Sequence, residues 1–306
     1  MLKIRFVRFF RYISWDTIKK TFARVGEGRL LGLASEIAYN AMLSLFPAIL
    51  AVLTAIGLFE ESLQSTFKQL AVQLSKVAPD EALVLIRDFA REITHTKNTG
   101  LFSISFIVAI WAASGALSAA MTALDQIHQI PPEQTRPFWK AKLISLGLTI
   151  GTILLLLLAS FLVFISDLIL KFFVSESGLS FLLSIWRLLS WPLALGIVSA
   201  AFAFVYRYGP SRWDSGTPMM PGAVLAAISW AISSALFRLY VSNFGNYNRA
   251  YGAVGAVIVL MLWLYMSAVV LLVGDQLNVT VGEAMHPQAE SGLKLERSPP
   301  SKTERT

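Results

Sequence analysis

No cysteine occurs in this chain, and that omission removes disulfides, iron–sulfur clusters and thiol nucleophiles from consideration. Histidine is nearly as scarce. His95, His128 and His286 fall in three separate connecting segments, so no histidine-based metal site or Ser–His dyad is expected within a membrane. There is no HExxH, no phosphate-binding glycine loop and no GxSxG, and Ser114-Gly115 is a serine–glycine pair without a base. The chain therefore reads as a non-enzyme with no metal and no cofactor. Charge is sparse as well: 15% of residues are charged against 55% hydrophobic, where soluble domains carry roughly a quarter charged. With a mean hydropathy of +0.61, the natural solvent of this sequence is lipid.

The apolar residues are gathered into six runs of about the 20 residues that cross a bilayer core as helix. They lie near residues 34–58, 101–124, 143–170, 182–206, 221–241 and 251–279, and predict an all-α membrane bundle of six transmembrane helices across 33–282. Between the first two runs, residues 60–99 are too polar to span. Leu63, Phe67, Leu70 and Leu74 recur at helical spacing, and Leu83, Ile86, Ala90 and Ile93 do so again, which predicts two amphipathic helices in an outer loop. Residues 1–32 form a basic N-terminal segment. Within it Trp15, Ile18, Phe22 and Val25 make an apolar stripe beside Lys19, Lys20 and Arg24, as in an interfacial helix. Residues 283–306 are polar, with Pro299-Pro300, and read as a disordered cytoplasmic tail.

Net charge is +7, which in a soluble protein would suggest nucleic acid, but the basic residues sit beside apolar runs, so anionic lipid headgroups are the expected partner instead. Most of the 26 lysines and arginines fall on the N-terminal side of the alternating spans, which places both chain ends in the cytoplasm. Lys3, Arg5, Arg8 and Arg11 are followed by no short apolar core with a small-residue cleavage site, so no removable signal peptide is expected.

On that topology Glu36, Asn40, Asp125, Arg207, Asp275 and Asn278 fall at cytoplasmic helix ends, while the bilayer midplane is nearly free of charge. Glu36 and Asn40, four apart, share a helix face, as do Asp275 and Asn278, three apart. With Arg207 as a partner for Asp275 or Glu36, these five residues make a candidate polar vestibule. Pro47 and Pro192 lie inside spans and are expected to kink them.

The run from Leu33 to Pro47 (LASEIAYNAMLSLFP), with Tyr39 inside it, resembles the opening signature of the YihY/BrkB family of bacterial inner-membrane proteins. Trp111 to Ser114, Tyr206 to Pro210, Pro221-Gly222, Tyr251-Gly252, Trp263 with Tyr265, and Gly274 to Asn278 match its later motifs. Asp275 stands where the family usually carries glutamate. The resemblance covers about residues 15 to 285. It implies a multi-pass six-helix protein of the inner membrane with cytoplasmic ends, a former ribonuclease BN label regarded as misassigned, and relatives associated with lipid export in envelope biogenesis. Transport of a lipid or other amphiphilic solute is the expectation it favours, with a membrane scaffold that binds an envelope protein or a second copy of itself as the alternative.

Overall fold

The structure, a computed structural model, describes residues 9, 11–58, 99–177, 180–212, 219–243 and 245–285; side chains are described outside 50–58, 99–102, 160–188, 191 and 242–253. Seven α-helices and one short 3-10 turn carry these residues, and no strand occurs among them. They are α1 (Trp15–Glu27), α2 (Leu30–Leu58), α3 (Thr99–Ile127), α4 (Phe138–Ser177), α5 (Ser180–Tyr208), α6 (Met220–Asn243) and α7 (Gly245–Met285). Each apolar run of the sequence lies inside one of α2–α7. Among the described residues five of these, α2, α3, α4, α6 and α7, hold segments long and apolar enough to cross a membrane; the qualifying stretch in α5, Pro192–Tyr208, is shorter. The expected outer-loop helices lie outside the described residues, as does the tail from residue 286. The helix of α7 runs through Glu283 to Met285, past the expected start of that tail.

Successive helices pack on one another from α2 to α7, and α7 returns against α2, which closes a ring, with α7 also touching α3. Burial is concentrated at one end of that ring. Leu30 and Ala34 of α2, Ala123, Leu124 and Ile127 of α3, Val205 and Tyr206 of α5, Ala223 and Ala226 of α6, and Ala268 and Leu272 of α7 form one core with Val25 of α1. So many alanines bring helix backbones close, as small residues do in membrane bundles. Away from this packed end, no described residue of α2 after Ala38 or of α6 after Ala227 is buried. There α6 and α7 are joined by two tryptophans: Trp230 Nε1 donates to Ser267 Oγ at 3.0 Å and Trp263 Nε1 to Ser234 Oγ at 3.3 Å, the rings meeting edge to face.

The N-terminal helix lies against the packed end with Trp15 and Phe22 of its apolar stripe facing outward. Ser14 caps it, accepting from the Thr17 N–H at 3.2 Å. The face it buries is Thr17, Thr21 and Val25, while Trp15 and Phe22 are 69% and 62% exposed. The reason is at the end of α7: Lys20 Nζ and Arg24 reach the two oxygens of Glu283 at 3.1 and 2.8 Å, and small threonines let the helix settle against α7. The Trp15–Phe22 stripe is thereby turned away from the protein. The same ion pairs explain why Glu283 remains helical.

Close approach at the packed end depends on glycine. A β-carbon on Gly222 would collide with the Asn278 side chain, and one on Gly274 with the Tyr206 hydroxyl and Ala226. Gly147 on α4, by contrast, has open space where a side chain would go. Gly222→Ala is therefore expected to destabilise the protein by about 1–3 kcal/mol. Gly147→Ala should be neutral or stabilising by up to about 1 kcal/mol, since alanine is the better helix former. Thermal melting of the two purified variants in detergent checks the contrast, and equal melting would refute it.

Candidate functional site

The described polar side chains converge at two places, one inside the packed end and one on the outside of α3. Inside, Asp275 of α7 is fully buried, and its Oδ2 lies 3.0 Å from Nε2 of His128, just past the end of α3. Its other oxygen, Oδ1, has no hydrogen-bond partner. A buried carboxylate is costly to desolvate and is found only where something compensates it. One turn away Asn278, also fully buried, accepts the Gly222 N–H at 2.9 Å and donates to the Met219 carbonyl at 3.3 Å. It thus caps α6 from a neighbouring helix, doing for an N-terminus opened by Met220-Pro221 what a local cap residue usually does. The Tyr206 hydroxyl donates to the Leu271 carbonyl at 2.8 Å and rests against Gly274.

Around this knot the connection from α3 to α4 is laced to the end of α5. Asp125 accepts from the Ser211 N–H at 2.5 Å and from its hydroxyl at 2.7 Å. Arg136 donates to the carbonyls of Gly209 and Pro210 at 2.7 and 2.6 Å, and Arg212 to Gln134. Burial pushes the Arg136 guanidinium below its ordinary pKa, while nearby Asp125 acts in the opposite sense. The result is a strap, residues 128–137, held along the side of the packed end.

That strap has a consequence for α4. Because it folds back, the first turns of α4 lie beside the middle of α3 instead of its end. Lys142 Nζ donates to Ser114 Oγ at 2.6 Å and to the Trp111 carbonyl at 3.3 Å, and sits 4.2 Å from the centre of the Trp111 ring. On the same side of α3, Trp111, Gly115, Ser118, Thr122 and Gln126 follow one another at spacings of three and four residues, each partly or fully exposed. Asn40 of α2 borders this stripe, its Oδ1 lying where it would touch a β-carbon on Gly115. From Gln126 to Trp111 the stripe runs about 22 Å along the helix axis.

The five residues expected to form a vestibule are divided between these places. Asp275 and Asn278 are inside the packed end; Asn40 is half-buried on the flank, bonded to the carbonyl of exposed Glu36 at 2.9 Å. Arg207 is exposed, and the partner of Asp275 is His128 in its stead. Of the other motif positions, Pro210, Pro221, Gly222 and Gly274 are buried at the packed end. Trp111 and Tyr39 lie exposed on the flank, Pro47 and Trp263 are half-buried away from the knot, and Tyr265 packs against the core. Tyr251 and Gly252 are on α7 before its described side chains begin. Two participants are not among the residues the sequence singles out: His128, one of the histidines of the connecting segments, and Lys142. Their signal was topological, since the segment containing both leaves α3 on the same side as the Asp275 end of α7.

Among the described residues no group of three or more His, Asp or Glu is placed to hold a metal ion. The sequence model of the virulence factor BrkB family matches residues 21–298. A ribonuclease-like protein of Bacillus subtilis, YfkH, is 33% identical over 264 residues, covering 85% of this chain and 93% of that protein. Membrane proteins of the UPF0761 group are similar at lower identity: one from Alteromonas mediterranea at 27%, covering 82% of both chains, and one from Psychromonas ingrahamii at 25%, covering 95% of this chain and 98% of its own. No solved structure matches the chain.

The buried pair predicts a non-additive pattern of stability. His128→Ala leaves Asp275 buried and unpaired and should cost about 3–5 kcal/mol. Adding Asp275→Asn to that variant removes the orphaned charge and should recover more than about 1 kcal/mol of the loss. Melting of the two single variants and the double variant measures this coupling; strictly additive losses would show that the pair does not act as a unit.

Proposed function

Since the chain belongs to the virulence factor BrkB family of membrane proteins, we propose that it crosses a bacterial plasma membrane six times with both ends in the cytoplasm, and moves a lipid or other amphiphilic solute between leaflets or out of the inner one. One observation carries this reading: the exposed polar stripe along α3. Thr122 donates to the Ser118 carbonyl at 3.2 Å and Gln126 to the Gly28 carbonyl at 2.8 Å, but both side chains are exposed and each keeps unused hydrogen-bonding capacity on the outer side, which costs free energy on a helix that faces only hydrocarbon. A helix that conducts a headgroup needs such a face, and it needs apolar surroundings for the acyl chains. The described flanks supply these: Leu143 and Leu154 of α4 and Leu43 and Phe46 of α2 are all exposed. The stripe's length of about 22 Å is most of the roughly 30 Å hydrocarbon core. The packed end, with its alanine core and buried knot, supports a fixed base from which α2, α3 and α4 present that path.

Reconstitution into liposomes with headgroup-labelled lipid and an impermeant quencher tests the reading. The wild type should accelerate leaflet exchange above protein-free vesicles, and Ser118→Leu/Thr122→Leu, which removes polarity from an exposed face without disturbing the core, should lower that rate at least tenfold. Exchange at the protein-free rate across several lipid classes would end the proposal. Exchange unchanged in the double variant would remove the stripe as its path.

A further inference from the structure

The ammonium of Lys142 is the one feature of this flank that a neutral polar path does not explain. It is half-buried, on a helix whose neighbouring residues Phe138, Trp139 and Leu143 are exposed and apolar, and no described carboxylate is paired with it. Its contacts are two neutral oxygens and a ring face. An ammonium carries three N–H donors and one full charge, so two neutral acceptors leave one donor free and the whole charge unbalanced. Such a charge against apolar surface is expensive unless an anion comes to it. In a bilayer the abundant anion at an apolar surface is the phosphate diester of a lipid.

The geometry points to Lys142 as a lipid-phosphate site: the ammonium, fixed by Ser114 and Trp111, binds the phosphate diester of a glycerophospholipid whose acyl chains lie along the exposed apolar flank of α4. The fixing is what separates this lysine from an ordinary interfacial one. Trp111 and Ser114 hold the ammonium against α3 beside the polar stripe, where a free lysine would extend toward water. Its electrostatic pull therefore acts on the same face that Ser118 and Thr122 line. Lys140, two residues earlier and exposed, has none of these described contacts and serves as the internal comparison. This inference rests on the reading of the flank as a lipid path, and it adds the chemical group recognised there.

The test is retention of lipid by the full-length protein in detergent, counted by native mass spectrometry during titration with phosphatidylglycerol or with diacylglycerol of the same chains. Phosphatidylglycerol should be retained and diacylglycerol not. Lys142→Met should weaken phosphatidylglycerol retention about tenfold, while Lys142→Arg and Lys140→Met stay within about threefold of wild type. Equal retention by Lys142→Met, or equal retention of diacylglycerol by the wild type, overturns the site. Displacement by soluble glycerophosphate at submillimolar concentration would identify a free phosphate ligand and overturn the lipid assignment. Melting is read in parallel; if Lys142→Met does not fold, the wild-type comparison of the two lipids and a Trp111→Leu variant, expected to weaken retention several-fold, decide the matter. Binding that depends on Lys142 without leaflet exchange would remove the translocation reading and leave the site standing. Exchange without Lys142-dependent binding would do the reverse.

Discussion

Asp275 is placed where a carboxylate is hardest to keep, fully buried with one oxygen on His128 and the other without a partner. Much of the packed end follows from accommodating it. His128 reaches it by continuing the last turn of α3, its N–H donating to the Leu124 carbonyl at 2.9 Å, before the chain turns at Gln129 with φ of 52°. Tyr206 comes within contact of the neighbouring backbone only because position 274 is glycine, and Asn278 can cap α6 only because position 222 is glycine. Four helices are thus held in register by buried and partly buried hydrogen bonds, in a region whose alanines contribute little interlocking of their own.

Much of this architecture was legible in the sequence, and the parts that were not share a cause. Long apolar runs determine helices in lipid because the backbone has no other way to satisfy its polar groups, so the elements were readable from Leu30 to Met285 with ends a few residues short. The apolar stripe of α1 is readable too, and its Trp15 and Phe22 face away from the protein; the contact made by the helix's other side is not readable. Trp15 and Phe22 are the most hydrophobic residues there, but contact with α7 is decided by the small Thr17 and Thr21 and by Glu283, more than 250 residues away in the chain. Charge alone offers Arg207 as the partner of Asp275 or Glu36. The choice of His128 depends on the end of α3 packing beside α7, a contact between residues 147 apart in the chain that neither segment's composition encodes.

The same fold-back gives the outside of the bundle its character. By shifting α4 along α3, it sets a cation beside tryptophan and serine midway along a membrane-length helix, where counting charges by loop had left the midplane empty. The interior of the packed end and the exposed flank are therefore linked. Asp125, Arg136 and the Gly209–Pro210 carbonyls fix the strap; the strap fixes the start of α4; and the start of α4 fixes Lys142. A partly buried polar network at one end thus positions a charged group farther along α3 without touching it.

The ring of helices also has an order of completion imposed by synthesis from the N-terminus. Neighbours in sequence pair as they emerge, from α2 through α6, but the seam is closed by α7 alone, which lies against α2 and α6, docks α1 and brings the partner for His128. Without the last forty or so residues, α1 would keep only its contact with α2, the start of α6 would lack its Asn278 cap and His128 would lack Asp275. The final helix is thus the keystone of the bundle, the one element whose docking completes contacts that α1, α2, α3 and α6 would otherwise leave open.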